Sequence, residues 1–292
     1  MELFRDLREI IKRDEPMSRH TWLGIGGEAT YLIEPRTIEE LKTVVSRCRE
    51  NGVPMYVLGG GANLLVDDAG VEGAVIRLTR GEFLEIKHLE GGLKTSAGVD
   101  MGRLVLRCVR EGLSGLECLT GIPGTVGGCV KMNAGGVFGD IGNVVESVDV
   151  MTDDGDIFTR CRADLAFAYR STNITSKFIL GAEFRLIEDD SQRILKQVKQ
   201  IWIYKKNTQP LGKRNAGCIF KNPRGISAGA LIDRAGLKGK RVGGAFVSEK
   251  HANFILVDKG AKATDVLKLV NIIRETVYKK SEVYLELEIE VW

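Results

Sequence analysis

No CxxC pair occurs among the six cysteines, Cys48, Cys108, Cys118, Cys129, Cys161 and Cys218, and histidine appears only three times in 292 residues. Cysteines scattered in this way suit neither a disulfide framework nor a zinc site, so reduced thiols are expected. No spacing of histidines or carboxylates matches a metal centre. A surplus of one charge is also missing. The 42 basic and 39 acidic residues leave a net charge of +3, too dispersed for the basic stripe of a nucleic-acid binder. No apolar run approaches membrane-spanning length, and the opening MELFRDLREIIKRDEP is charged throughout, without a signal-peptide core. The expectation is a soluble cytoplasmic protein, a monomer or weak oligomer that engages neither nucleic acid nor membrane. Internal repeats, low-complexity tracts and flexible linkers are absent too.

Glycine, by contrast, is abundant and clustered. Between Gly112 and Gly139 nine of twenty-eight residues are glycine, and the single proline there is Pro123. Each glycine loses more backbone entropy on folding than any other residue, so such a run calls for positive φ or close approach of main chain to a ligand. Bare amides of Gly121, Ile122, Gly124, Thr125, Gly127 and Gly128, with the Thr125 hydroxyl, would form an anion-binding concavity; a purely structural turn explains the composition equally well. A second cluster, Gly59, Gly60, Gly61, Ala62 and Asn63, lies between two apolar runs that read as buried strands. Two phosphate cradles suggest a dinucleotide. Familiar motifs do not account for them: the second cluster lacks the Gly-Lys-Ser/Thr ending of a P-loop. The GxGxxA letters of Gly24 to Ala29 precede a strand-like run instead of opening a helix, as a Rossmann turn must.

The length and a 43% apolar content fit two or three domains. Periodicity predicts an amphipathic helix over 3–13, then a turn and a strand over 29–34. A helix over 37–51, stopped by Gly52 and Pro54, is followed by a strand over 55–58 and another over 73–78. Short strands over 83–97 turn at Gly91 and Gly92, and a helix over 100–112 leads into the glycine-rich loop. A hairpin over 144–160, a strand over 165–170 and another over 177–186 complete a second lobe. A helix over 191–204 opens a third, followed by a loop over 206–223, helices over 228–235 and 264–278 around a strand at 253–257, and a final strand over 283–291. The lobes expected are 1–80, 81–190 and 191–292.

The combination of HTWLGIGGEA, LGGGANLLVDDAG, GLECLTGIPGTVGGCVKMNAG, FAYR, QPLGKRNAGCIFKNP and SEKHANFIL, in that order and spread nearly end to end, closely resembles the UDP-N-acetylenolpyruvoylglucosamine reductase (UDP-N-acetylmuramate dehydrogenase) family. The resemblance implies an α+β fold of three lobes. Two of them form an FAD-binding module of the vanillyl-alcohol-oxidase-like (PCMH) type, and the third binds substrate. It further implies an FAD enzyme that uses NADPH to reduce the enolpyruvyl ether of UDP-N-acetylglucosamine in peptidoglycan synthesis. FAD would lie against Gly59, Gly60, Gly61, Ala62, Asn63, Leu64, Gly121, Ile122, Pro123, Gly124, Thr125, Gly127, Gly128, Asn133 and Ala134, and near the segment His20 to Gly27. The length, and the few residues between Leu186 and Gln209, imply the family's shorter form, without an extra loop carrying a substrate-gating tyrosine.

Three residues carry the chemistry in this resemblance. Cys218 stands where the family's proton donor is usually serine; by sequence alone a cysteine beside Ile219 and Phe220 reads as a small buried apolar residue, while a thiol is also a better acid than a hydroxyl. Arg170 follows Tyr169 as in the family's Tyr-Arg pair, with Thr172 where a serine is usual, and its fixed charge would steady an enolate. Glu288 aligns with the catalytic glutamate, although Glu286, Glu288 and Glu290 alternate with apolar residues and all three read equally as the solvated face of a strand. Lys206, Gln209, Lys221 and Asn222, with Tyr169, are expected around the nucleotide-sugar. His251 and Asn253 would line the cleft, or else serve only structure. An FAD-dependent oxidase on the same scaffold and a catalytically lapsed nucleotide-sugar binder stay open beside the reductase.

Overall fold

The computed structural model describes residues 3–292. They form two compact units. The first comprises residues 3–14, Thr30–Gly60 and Glu72–Tyr204, and the second Glu15–Ala29, Gly61–Val71 and Lys205–Trp292. The division does not follow the order of the chain: two short early segments belong with the last third.

The first unit has two hydrophobic cores. One lies where α1 (Ile38–Glu50) packs Leu41, Val44, Val45 and Cys48 against Ile33, Ala74 and Ile76. The helix forms there because Thr37 caps it, its side chain accepting the Glu40 amide, and because Glu39 and Glu40 sit in the first turn, where the helix dipole favours negative charge. Its sheet runs in the spatial order Ile11–Pro16, Glu28–Ile33, Val71–Arg77, Met55–Leu58. The last pair is parallel, with Leu58 opposite Arg77, so Gly59 begins where the ladder stops. The second core is built on a five-stranded sheet in the order Ile157–Cys161, Val145–Met151, Phe178–Arg185, Gly92–Ser96, Ile86–Leu89, antiparallel throughout. Against it pack Met101, Leu104, Val105 and Cys108 of α2 (Met101–Glu111), and Ile194 and Val198 of α4 (Ser191–Thr208). Burying each such side chain stabilises by about 1.5–3 kcal/mol. α2 is capped by Asp100 and closed by Gly112 at φ +68°.

In the second unit a three-stranded antiparallel sheet, Arg241–Val242, Ala245–Val247 and Ile255–Val257, is covered by α5 (Ala228–Arg234) and α6 (Ala263–Ser281). Phe220, Ile232, Val247, Leu269, Ile273 and Leu285 fill its core. Asp68 caps α6 from a distance in sequence, accepting the amides of Ala263 at 2.7 Å and Thr264 at 3.0 Å. Among the described residues no helix is long and apolar enough to cross a membrane.

Four expectations need correction. The segment over 3–13 is a 3-10 turn, Arg5–Ile10, followed by the strand Ile11–Pro16. The Ile10 carbonyl accepts the Glu34 amide at 2.8 Å, so the sheet edge overrides the helical spacing. The strand expected over 165–170 shrinks to Phe167–Ala168, and the chain then turns back as Ser171–Thr172. Only Glu290–Val291 of the final segment is a strand; it runs parallel to Leu64–Leu65. The preceding residues bond singly to other segments. The glycine-rich loop contains a helix, α3 (Val126–Lys131), capped by Thr125.

Candidate active site

Gly59 and Gly60 meet the other glycine-rich loop inside the first unit. A Cβ placed on Gly60 would lie 2.8 Å from the Gly124 Cα, and one on Gly59 would lie 3.0 Å from Thr125 Oγ1. Real Cβ atoms essentially never come as close as the first distance and seldom as close as the second, so the absence of side chains is what lets the loops touch. Gly121 at φ +69° and Gly124 at φ +135° also occupy conformations that L side chains avoid. Among the described residues the amides of Gly60 and Gly124 donate to no protein acceptor, which leaves donors of the kind a phosphate needs. Not every expected donor is bare: the Gly127 amide bonds the Ala97 carbonyl at 2.8 Å, and the Gly128 amide bonds Thr125 Oγ1 at 3.4 Å. Gly127 is instead required for packing, since its Cβ would sit 2.9 Å from that of Ala97. The contact between loops and their open amides fit a diphosphate-bearing cofactor.

In the same unit Tyr169 and Arg170 form the two-residue turn between Phe167–Ala168 and Ser171–Thr172. Arg170 is at φ +55°, a left-handed conformation rare for any residue other than glycine or asparagine. Half-buried, it donates from Nη2 to the Gly135 carbonyl at 2.9 Å and lies 5.0 Å from the centroid of the Tyr169 ring. Tyr169 is half exposed. Such strain, held at the tip of a short hairpin, is characteristic of functional positions.

The second unit gathers the other two residues by main-chain pairing. Cys218 bridges Phe254, and Phe220 bridges Leu287. The Glu288 amide donates to the Ile219 carbonyl at 2.8 Å, so Cys218 and Glu288 lie on adjacent segments. Gly217, at φ +77° with its amide held by Asn215 Oδ1 at 2.9 Å, turns the chain just before Cys218. Asn253 fixes this strand at both polar atoms, accepting the Phe220 amide and donating to the Phe220 carbonyl. Burial separates the three alternating glutamates: Glu286 and Glu290 are exposed, whereas Glu288 is half-buried. Asn63 holds it further, its Nδ2 donating to the Glu288 carbonyl at 3.0 Å and its own carbonyl accepting the Glu290 amide. His251 is packed edge-on against Phe254, and burial lowers its pKa, which keeps the imidazole neutral.

Comparison with known proteins decides what this arrangement belongs to. A family model described as UDP-N-acetylenolpyruvoylglucosamine reductase, C-terminal domain, matches residues 209–292, and an FAD binding domain model matches residues 29–160. UDP-N-acetylenolpyruvoylglucosamine reductase of Syntrophobacter fumaroxidans is 42% identical over 96% of this chain and 83% of its own. That of Carboxydothermus hydrogenoformans is 41% identical over 99% and 96%. The crystal structure of the reductase from Thermus caldophilus superposes with a TM-score of 0.82 at 43% identity, covering 95% of this chain and 97% of that one. This chain belongs to the UDP-N-acetylenolpyruvoylglucosamine reductase family.

A more distant likeness, to the cholesterol oxidase of Brevibacterium sterolicum (TM-score 0.50, 16% identity, 62% of this chain and 38% of that one), concerns the fold alone. The fold of this reductase-family member is α+β, with an FAD-binding module of the vanillyl-alcohol-oxidase-like type and a further α+β lobe. The stretch from Leu186 to Gln209, where the family's extra loop would fall, is filled by Ile187–Glu188 and α4.

The remaining expected ligands of the reductase family lie in the second unit and differ in how free their side chains are. Lys221 faces Glu286 at 3.7 Å. Asn222 accepts the Ala228 amide at 2.9 Å, the first amide of α5, which Ser227 caps. Gln209 continues the end of α4, its amide bonding the Lys205 carbonyl. Lys206 is exposed, whereas its neighbour Lys205 is only 7% exposed. A lysine this buried is rare. Nothing in KKNTQP distinguishes the two lysines by sequence.

Proposed function

We propose that this chain reduces the enolpyruvyl ether of UDP-N-acetylenolpyruvoylglucosamine to the lactyl ether of UDP-N-acetylmuramate, with NADPH as electron donor, for peptidoglycan synthesis. The observation that carries this reading is the pairing of the Cys218 strand with the Glu288 segment in a chain of this family. FAD, when bound, supplies the hydride. Gly59, Gly60, Gly121, Gly124 and Thr125 would hold its diphosphate through backbone amides, as the mutual approach of their loops supports; by the family pattern Gly61 to Leu64, Ile122, Pro123, Gly127, Gly128 and Ala134 would complete its surroundings.

Cys218 keeps its proton on Sγ until the reaction and delivers it to the substrate carbon bonded to the ether oxygen. Thiol chemistry suits that task, because a thiol is a stronger acid than the serine hydroxyl usual in the family. Glu288, half-buried and fixed through its amide and carbonyl, acts on the enolate that forms at the substrate's carboxyl group. Arg170 joins it on the strength of the family pattern: its permanent positive charge faces the growing negative charge, the preorganised electrostatics that carry much of catalysis. Tyr169, Lys206, Gln209, Lys221 and Asn222 bind the nucleotide-sugar.

The test begins with the visible spectrum of the purified chain. Anaerobic NADPH is then added, followed by the enolpyruvyl nucleotide-sugar. A flavin band that bleaches with NADPH and returns with the sugar supports the whole reading. A band that returns with oxygen but not with sugar indicates an oxidase. Absence of flavin, with none taken up on loading, overturns it.

A further inference from the structure

We infer that Asn133 is the positioning residue for Arg170. The inference rests on the reading above, in which Arg170 meets the substrate. It departs from the expectation that the Asn133 side chain serves the flavin.

A hairpin with two residues in each strand is not stable by itself, and this one ends on an arginine in the left-handed region. Something outside must hold it. Asn133, only 3% exposed, does so with both ends of its carboxamide. Nδ2 donates to the Ala168 carbonyl at 2.9 Å, immediately before the turn. Oδ1 accepts the Gly142 amide at 3.0 Å. Gly142 in turn lies flat against Phe167, so close that a Cβ there would come to 2.5 Å from the ring. The far strand is tied to the same stretch of chain: Thr172 Oγ1 donates to the Lys131 carbonyl at 3.4 Å, and Lys131 Nζ to the Ile174 carbonyl at 2.6 Å. Arg170 itself reaches Gly135, two residues beyond Asn133. Asn133 adopts φ +43°, a conformation in which asparagine is among the few side chains tolerated. A carboxamide at this φ, with a donor and an acceptor aimed in opposite directions, links the turn to the backbone that the guanidinium also contacts. With its carboxamide bonded to main chain and almost wholly buried, Asn133 acts on the reaction through the hairpin.

The holoenzyme variants that test this are Asn133→Asp and Asn133→Gly. The first keeps the acceptor for Gly142 but sets an oxygen against the Ala168 carbonyl; the second tolerates the φ and removes the carboxamide. In both, reoxidation of the reduced flavin by the enolpyruvyl nucleotide-sugar slows about 10–100-fold, the usual penalty for a reacting group displaced by around an ångström. The loss falls on kcat with KM little changed, while bleaching by NADPH and flavin content stay as in the parent. Hydrogen exchange in the peptide 167–173 accelerates. Combined with Arg170→Ala, neither substitution slows reoxidation further, because it has nothing left to position. Additive losses in the double variants, equal slowing of both half-reactions, or loss of flavin would overturn the inference. If Arg170→Ala alone leaves reoxidation intact, the role given to Arg170 fails first, and that result is distinguishable from every outcome at Asn133. Should both variants misfold, the parent protein suffices: the Gly142 amide and the hairpin amides then open as one cooperative unit, and independent exchange of Gly142 refutes the link.

Discussion

In the proposed reaction Cys218 puts a thiol at the proton-donor position, and two substitutions separate its chemistry from its packing. Cys218→Ser keeps a proton donor of similar size, so sugar-dependent reoxidation of the flavin persists. Cys218→Ala slows that step by about 10²–10⁴-fold, the range for loss of a general acid, and leaves bleaching by NADPH unaffected. Stopped-flow absorbance on the two half-reactions checks both. Other cysteines answer differently. Burial pushes the Cys48 thiol up to about 11, and burial with the neighbouring charges of Glu111 and Glu117 pushes Cys108 up to about 12. At pH 8 their thiolate fractions are then about one in a thousand and one in ten thousand. Alkylation of the native protein followed by peptide mapping therefore labels exposed Cys161 first and spares Cys48 and Cys108. At this scale the sequence showed which residue types were present but not their surroundings. The alternation of Glu286, Glu288 and Glu290 is symmetric on paper, and only burial makes Glu288 different.

Helices were the elements most readily read. Thr37 with Gly52, and Asp100 with Gly112, mark their ends by local chemistry that needs no tertiary partner. The start of α6 is the exception, for beside the local Asp265 its first two amides are taken by Asp68, which no local reading could supply. Asp68→Ala lowers stability by about 1 kcal/mol, measured by urea unfolding. Burial alone pushes the Asp68 carboxyl up, but the amides of Thr264 and Ala263, together with the Thr264 hydroxyl and the Lys262 charge, outweigh it and bring the pKa below the ordinary value. A depressed folded pKa means stability that is present above about pH 4 and is lost as pH falls through the folded value. Asp68→Asn removes this part of the acid loss, visible as a flatter dependence of the urea midpoint on pH between 5 and 3, to within about a unit. Strands of two or three residues were poorly legible, because their partners lie far away in sequence; the segment over 283–291 pairs in turn with Lys221, Ile219 and Asn63. Glycines sort at the same scale. Gly52→Ala meets only its φ of +63°, with nothing within 4 Å, whereas Gly60→Ala must push apart the two glycine loops. Gly60→Ala loses flavin on gel filtration and Gly52→Ala retains it, although both unfold at lower temperature.

For the whole molecule, flavin binds the folded chain and not the unfolded one. Loading at about a hundred times the dissociation constant then stabilises by about 2.7 kcal/mol and raises the unfolding temperature by several degrees. Calorimetry of the flavin-free and reloaded protein checks this, and an unchanged midpoint would contradict the cofactor assignment. The sequence by itself determined the longer helices, the two glycine clusters and the order of family motifs, because these depend on residue type and local spacing. Only the tertiary structure decided that Gly60 touches Gly124, that Glu288 lies beside the Cys218 strand, and that Asn133 grips the turn before Arg170. Those facts depend on backbone bonds and burial between residues dozens of positions or more apart, and such contacts have no period in the sequence from which to read them.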